Sequence, residues 1–134
     1  MNYKGYKDLE CYSKARELRL FISQLAKKIP PHEKFMLIAQ IVDCSRSITR
    51  NIAEGYGRYT YADTRNFFII SRGSTTETME QLTTAFDEKY ITEEELKNGE
   101  AKCEFVFKLI NGYIAYLDKS RKQSLPPTNP IPNS

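Results

Sequence analysis

The chain has 134 residues, of which 40% are hydrophobic and 28% are charged, with six glycines, six prolines and a net charge of +3. This length fits one domain with a buried core, and the composition excludes collagen, a disulfide-rich scaffold and a wholly disordered chain. No run of about 18 apolar residues is present, so no membrane span is expected. The N-terminal residues lack the apolar stretch of a signal peptide, and the three cysteines lack metal-ligand spacing. We therefore expect a cytoplasmic protein with reduced thiols and without a metal or a cofactor.

Positive charge is concentrated in the first half of the chain. Residues 1–72 carry 13 Lys+Arg and 7 Asp+Glu, a net charge of +6, whereas residues 73–134 carry a net charge of −3. A basic half would steer an anionic partner, and it would equally steer self-association with the acidic half. The charge pattern leaves both possibilities open.

Apolar spacing predicts two helices in the first half of the chain. Over residues 11–29, apolar residues recur at alternating steps of four and three, which predicts a helix with Asp8 as its N-cap that ends before Pro30. A second apolar seam covers residues 38–52. Gly55 is expected to end this second helix in the left-handed region of backbone conformation.

Two further helices are predicted in the second half. The third covers residues 62–88, and its seam is rich in small residues: Phe67, Ser71, Ser74, Thr78, Leu82 and Ala85. Thr92 and Glu95 form a capping box that opens the fourth helix, with a seam over residues 96–117. Short connections between long helices favour antiparallel neighbours. We therefore expect an all-α, antiparallel up-down four-helix bundle over residues 1–122 and a disordered, proline-rich tail over residues 123–134.

The fourth predicted helix has a second apolar stripe. Phe105, Leu109, Gly112 and Tyr116 step by four, three and four, and they point away from the main seam. The third helix also has more apolar residues around Ile69 than one core face accommodates. One interpretation is a wide core with scattered surface apolar residues. The other is a subunit interface formed by these five residues, which predicts a homo-oligomer.

No catalytic set is evident in the sequence. The single histidine, His32, lies in a proline-rich turn beside Glu33, and no arginine lies a few positions before it. The glycines at positions 55 and 57 are not followed by the Gly-Lys-Ser/Thr ending of a phosphate-binding loop. No Glu-x-x-His pair is present to hold a metal inside a bundle. We therefore expect no enzymatic activity.

Arginines recur in the middle of the chain, with tyrosines between them. Such arginines would contact phosphates, and loop tyrosines would stack on unpaired bases. The candidate nucleic-acid-binding residues are Arg46, Arg50, Arg58, Arg65, Arg72, Tyr56 and Tyr59. The alternative is ordinary ion pairing, as Asp43 with Arg46 and Arg50 with Glu54 would form at helical spacing, with the tyrosines covering the edge of the core.

The segment S-I-T-R-N-I-A-E-G-Y-G-R at residues 47–58 resembles the signature of the four-helix-bundle proteins named for intervening sequences in bacterial 23S ribosomal RNA genes. Further matching segments lie at residues 6–15, 72–82 and 109–117, so that the resemblance covers about residues 5–122. Two positions depart from the family pattern. Tyr12 stands where tryptophan is common, which we expect to change the core mildly. Thr49 replaces a frequent proline, which we expect to straighten the helix without altering function.

The resemblance implies an antiparallel four-helix bundle that assembles as a homo-oligomeric ring, commonly a pentamer. The family is similar to the accessory variability proteins of diversity-generating retroelements, whose basic pentameric barrels contact nucleic acid and a reverse transcriptase. Fivefold repetition would multiply a modest arginine patch, although a shared fold does not assign function. The signature residues Asn51 and Glu54 would bond loop or neighbouring-subunit backbone, and Gly55 would end the helix.

Two functions follow as competing hypotheses. The leading one is a non-enzymatic oligomer that binds RNA or DNA through repeated arginines. The alternative is an interaction scaffold or accessory subunit that binds a partner protein through the apolar strip of the fourth helix or the proline-rich tail. Charge reversal at Arg46 and Arg50 discriminates between them, because it should abolish nucleic-acid binding in the first case and spare partner binding in the second.

Overall fold

A computed structural model describes residues 5–123, and every regular element among them is helical. The four α-helices are α1 (Glu10–Ala26), α2 (Leu37–Tyr56), α3 (Tyr61–Asp87) and α4 (Glu93–Gln123). Short 3-10 turns lie at Tyr6–Asp8 and Pro31–Glu33. The predicted all-α fold is thus confirmed for the part of the chain described. The predicted tail lies outside it, except for Gln123, which is the last residue of α4.

Each α-helix packs against two others. α1 contacts α2 and α4, and α3 contacts the same two helices, so that the four enclose one apolar core. The largest side chains without solvent exposure in this core are Phe68, Leu18, Ile22, Ile41, Ile48, Ile52, Leu82 and Ile110. Within residues 5–123, no helix combines the length and the apolar content needed to cross a membrane.

Short hydroxyl side chains join α2 to α3. The Ser47 and Ser74 Oγ atoms are 2.7 Å apart, and Ser71 Oγ donates to the Ile48 carbonyl at 2.8 Å. All three serines are buried, so these bonds satisfy polar groups that would otherwise destabilise the core. The small residues predicted for the third helix therefore allow close contact between two backbones.

Gly55 lies inside α2, where it approaches α3. A Cβ atom at this position would lie 2.8 Å from Phe67 Cβ and 3.1 Å from two ring carbons of Phe68. The predicted left-handed cap is wrong, because α2 continues to Tyr56, and its C-cap is Gly57 with φ −85°. No described glycine has a positive φ. Gly55 is therefore required by helix packing. Phe68, rather than the predicted Phe67, is the fully buried aromatic residue of the α3 seam.

The two predicted N-caps have different outcomes. Asp8 belongs to a 3-10 turn, and Leu9 is the N-cap of α1 without a side-chain bond, so that prediction is wrong. The capping box of α4 is confirmed. The Glu95 N–H donates to Thr92 Oγ1 at 3.1 Å, and the Thr92 N–H donates to Glu95 Oε1 at 2.9 Å. Lys28, just beyond α1, donates to the other oxygen of Glu95.

We expect Gly55→Ala to lower the free energy of unfolding by about 1–3 kcal/mol, because the new methyl group meets a Cβ atom that cannot rotate away. Gly73→Ala is the matched control, since Gly73 also lies within a helix but has no heavy atom within 4 Å of an added Cβ. The control should stabilise the protein by about 0.5–1 kcal/mol through helix propensity. Urea denaturation measures both values, and equal stabilities for the two variants would contradict the packing role of Gly55.

The Lys28 ammonium and the Thr92 N–H hold the pKa of Glu95 below its ordinary value of 4.5. A carboxyl with a lowered pKa in the folded state stabilises the fold above its unfolded pKa, and this stabilisation is lost as the pH falls through the folded pKa. We expect Glu95→Gln to reduce the free energy of unfolding at pH 7 by about 0.3–1 kcal/mol. The difference should vanish in acid. Glu94→Gln is the control in the same helical turn, and equal pH dependence of the two variants would contradict the assignment.

Candidate nucleic-acid interface

A solvent-open groove of about 500 Å³ lies between the start of α1 and the second half of α2. Its lining residues are Tyr6, Tyr12, Arg19, Arg46, Thr49, Arg50 and Ala53. A second depression of about 490 Å³ shares Tyr6, Tyr12 and Arg19 and adds Lys7, Ser13 and Arg16. We call the two depressions together the α1/α2 groove. Among residues 5–123, its lining contains five cationic side chains and no carboxylate.

Arg46 and Arg50 form the α2 side of this groove. They lie one helical turn apart and are exposed. No hydrogen bond or ion pair within residues 5–123 joins either guanidinium to another side chain. The alternative pairing of Arg50 with Glu54 is absent, because Glu54 pairs with Arg58 instead, at 3.2 Å. Two of the five predicted arginines are therefore available for a ligand.

Arg19 reaches the groove from α1. Its Nη1 donates to Thr49 Oγ1 at 3.0 Å, and Thr49 Oγ1 donates to the Arg46 carbonyl at 3.2 Å. The buried threonine thereby directs an arginine of α1 toward the arginines of α2. Thr49 thus does more than the straightening expected from the sequence. Tyr12, the other departure from the family pattern, also lines the groove.

Tyr6 and Tyr12 form the aromatic part of the groove. Their rings meet edge-on, with centroids 4.9 Å apart and planes at 79°. This pair was not predicted from the sequence, although both tyrosines lie close to basic residues along the chain. Of the two tyrosines that were predicted, Tyr59 is exposed in the connection after α2, and Tyr56 is half-buried. Neither lines the groove.

Arg58 lies outside the groove, at the end of α2. Besides its ion pair with Glu54, its guanidinium stands over the Phe67 ring, 4.7 Å from the centroid. Cation–π contact of this kind stabilises an exposed arginine in one position. Arg58 therefore covers the place where Gly55 and Phe67 bring α2 and α3 together.

Arg65 and Arg72 connect α3 to α4. Arg65 donates to both carboxylate oxygens of Asp118, at 2.7 and 3.4 Å. Arg72 donates to the Asn111 amide oxygen at 2.7 Å. The structure thus places these two predicted site residues in contacts within the chain, and not beside Arg46 and Arg50.

The signature residues stabilise α2 and its contact with α3. Asn51 Nδ2 donates to the Ser47 carbonyl at 2.8 Å and to Ser47 Oγ at 2.9 Å, and Ser47 in turn contacts Ser74. Glu54 pairs with Arg58. These bonds of Asn51 and Glu54 lie within α2 and at its end, whereas the predicted bonds to neighbouring-subunit backbone stay a prediction.

Comparison with known proteins identifies the family. The family described as 23S rRNA-intervening sequence protein matches residues 7–112. The chain belongs to this family. A solved structure of a protein of unknown function from the S23 ribosomal protein family of Bacteroides thetaiotaomicron is similar, with 27% identity and a TM-score of 0.75 over 81% of this chain and 98% of that one. No curated protein sequence matches. The resemblance seen in residues 47–58 is confirmed.

This 23S rRNA-intervening sequence protein also exposes apolar residues on α3 and α4. Phe105 and Tyr116 are 43% and 59% exposed, and Gly112 has no heavy atom near an added Cβ. On α3 the exposed residue is Ile70, at 50%. The remaining two predicted interface residues are partly buried against the core: Ile69 and Leu109. We call Phe105, Gly112 and Tyr116 the α4 face.

The histidine forms a polar contact within the protein, and the three cysteines are buried. His32 Nε2 lies 3.3 Å from the Tyr90 hydroxyl, which donates to Glu33 at 2.9 Å, so that the histidine joins two connections at one end of the protein. The cysteines are free and buried: Cys11, Cys44 and Cys103. Burial raises the pKa of the first two to about 11 and of the third to about 12. None is a thiolate at neutral pH.

Proposed function

We propose that this 23S rRNA-intervening sequence protein is a non-enzymatic oligomer that binds RNA or DNA through the α1/α2 groove. The observation that carries the proposal is a lining with five cations and no carboxylate. Guanidinium groups bind phosphates through several N–H donors at once. Arg46 and Arg50 would make these bonds without first breaking an ion pair to any residue between 5 and 123.

The proposed contact set differs from the five arginines selected from the sequence. Arg46 and Arg50 stay in it, and the structure adds Arg19, Arg16 and Lys7 on the α1 side of the groove. Arg58, Arg65 and Arg72 leave it, because none of them lines the groove and each has a partner elsewhere in the chain: Glu54, Asp118 and Asn111. Phosphate binding at those positions would have to compete with these contacts.

We infer that neighbouring helices run antiparallel, in an up-down order. Contacts between α3 and α4 support this, because Arg65 meets Asp118 whereas the later Arg72 meets the earlier Asn111. Contacts between α2 and α3 follow the same rule, as Ser47 pairs with Ser74 and Gly55 approaches Phe67.

We further propose that copies of the chain associate through the α4 face and form a ring. The exposed Phe105 and Tyr116 on one side of α4 support an interface, and Gly112 between them would let a second backbone approach closely. A ring would repeat the α1/α2 groove once per subunit. The pentameric order of this ring follows from the family resemblance alone.

The second candidate function is a protein-interaction scaffold that makes no nucleic-acid contact. Phe35 and Met36 favour it, because they precede α2 with 85% and 62% of their surfaces exposed. Neighbouring apolar side chains with such exposure are typical of interaction sites. We propose a cytoplasmic location for either function, which the three free thiols support.

The double variant Arg46→Gln/Arg50→Gln should weaken binding to a labelled RNA oligonucleotide and flatten its salt dependence. Removing one phosphate-binding side chain lowers the slope of log affinity against log salt by about 0.9 for a duplex and about 0.7 for a single strand. For two such side chains we therefore expect a slope reduction of about 1.8 for a duplex and about 1.4 for a single strand. Fluorescence anisotropy at several salt concentrations measures both.

The matched control is Arg65→Gln/Arg72→Gln, which removes the same charge from arginines that are engaged within the chain. The control should retain the wild-type salt slope. Equal salt slopes for the two double variants would show that nucleic-acid binding depends on the net charge of the protein and not on the groove. Absence of binding by the wild-type protein at low salt would favour the scaffold function.

We expect Phe105→Glu to reduce self-association, because it places a charge in the proposed apolar interface. Leu20→Glu is the matched control, since Leu20 is also an exposed apolar residue, at 48%, but lies on α1. Light scattering at micromolar concentration should give an oligomer for the wild-type protein and the control, and a smaller mass for Phe105→Glu. A monomeric wild-type protein would contradict the ring.

A further inference from the structure

We propose that the α1/α2 groove accepts an unpaired nucleotide, with Tyr6 stacking on the base and the Tyr12 hydroxyl bonding the sugar or phosphate. The protein would then bind single-stranded nucleic acid in preference to a duplex. This inference rests on the proposed nucleic-acid-binding function and assigns its ligand class. It uses two side chains that are not arginines, so that it is tested separately from the electrostatic part of the site.

The Tyr12 hydroxyl is the first observation. Tyr12 is only 8% exposed, and it lines both depressions of the groove. Within the described part of the chain, its hydroxyl has no hydrogen-bond partner. Buried hydroxyl groups are normally hydrogen-bonded, because an unsatisfied one destabilises the folded state. A polar group bound in the groove, which Arg19 also lines, would supply this bond.

The arrangement of the two rings is the second observation. In an edge-on pair, one ring presents its edge to the face of the other, and Tyr6, which also packs against the core, is the more exposed of the two. Tyr6 lines both depressions, so part of its side chain faces the groove. Aromatic side chains bind nucleobases by stacking, with little dependence on base identity.

The chemistry of stacking selects an unpaired base. A base within a duplex is already stacked on both faces, whereas a base in a single strand or loop turns outward onto an aromatic ring. Arg46 and Arg50 would hold the adjacent phosphates along α2. A groove of about 500 Å³ lies within the range of sites that enclose a small organic group.

The test is a set of anisotropy titrations with three labelled RNAs: a single strand, its duplex, and the same single strand with abasic sites. We expect the wild-type protein to bind the single strand more tightly than either of the others. Tyr6→Ala should weaken single-strand binding about five- to hundredfold, and Tyr12→Phe about two- to tenfold. Duplex affinity should change by less than about twofold in both variants.

Tyr59→Ala is the control, because Tyr59 is an exposed tyrosine outside the groove. It should bind all three RNAs as the wild type does. Tyr12→Phe keeps the buried ring and removes only the hydroxyl. This variant and the abasic strand therefore test the inference even if Tyr6→Ala perturbs folding. Equal affinity for intact and abasic strands, or an unchanged Tyr12→Phe, overturns the inference.

The arginine variants separate this failure from failure of the proposed function. If Arg46→Gln/Arg50→Gln weakens binding to all three RNAs while the tyrosine variants change nothing, the groove binds phosphates only and the proposed function stands. If the wild-type protein binds none of the RNAs, the proposed function and the inference both fail.

Discussion

At Gly55 the backbone of α2 lies so close to α3 that a single added carbon would contact Phe67 Cβ at 2.8 Å. The same contact continues along the helices through the buried serines Ser47 and Ser74, and Asn51 holds Ser47 in place. Because interiors are tightly packed, a larger residue in this seam would displace α2 as a whole. Arg46 and Arg50 also lie on α2. The packing of α2 against α3 therefore determines the position of these arginines relative to α1.

The arginines of this protein divide according to what lies near them. Arg65 and Arg72 have polar partners on α4, and exposed pairs of this kind add little to stability but hold long side chains in one position. Within residues 5–123, no carboxylate lines the α1/α2 groove, and Arg46 and Arg50 have no side-chain partner. Like charges at its walls repel one another until an anion is bound. The proposed function follows from this local excess of cationic over anionic side chains and not from the modest net charge of the chain.

Membership of the 23S rRNA-intervening sequence protein family gives a fold without an activity, since the similar structure from Bacteroides thetaiotaomicron is itself of unknown function. The proposals therefore depend on chemistry within this chain. In the proposed site, Arg46 and Arg50 would bind phosphates and Tyr6 with Tyr12 would bind the base and its neighbouring groups, while the proposed ring would bring several copies of both to one ligand.

The sequence by itself determined the four helices, because apolar periodicity and the Thr92–Glu95 capping box are local signals that follow from helix geometry. It also selected Arg46 and Arg50 as exposed cations. Only the tertiary structure decided that Gly55 serves packing, that Arg65 is engaged by a residue 53 positions away, and that Arg19 meets Thr49 across 30 positions. Local patterns predict where a side chain points on its own helix. Which side chain it meets depends on how the helices pack, and this is set by the fit of the whole core.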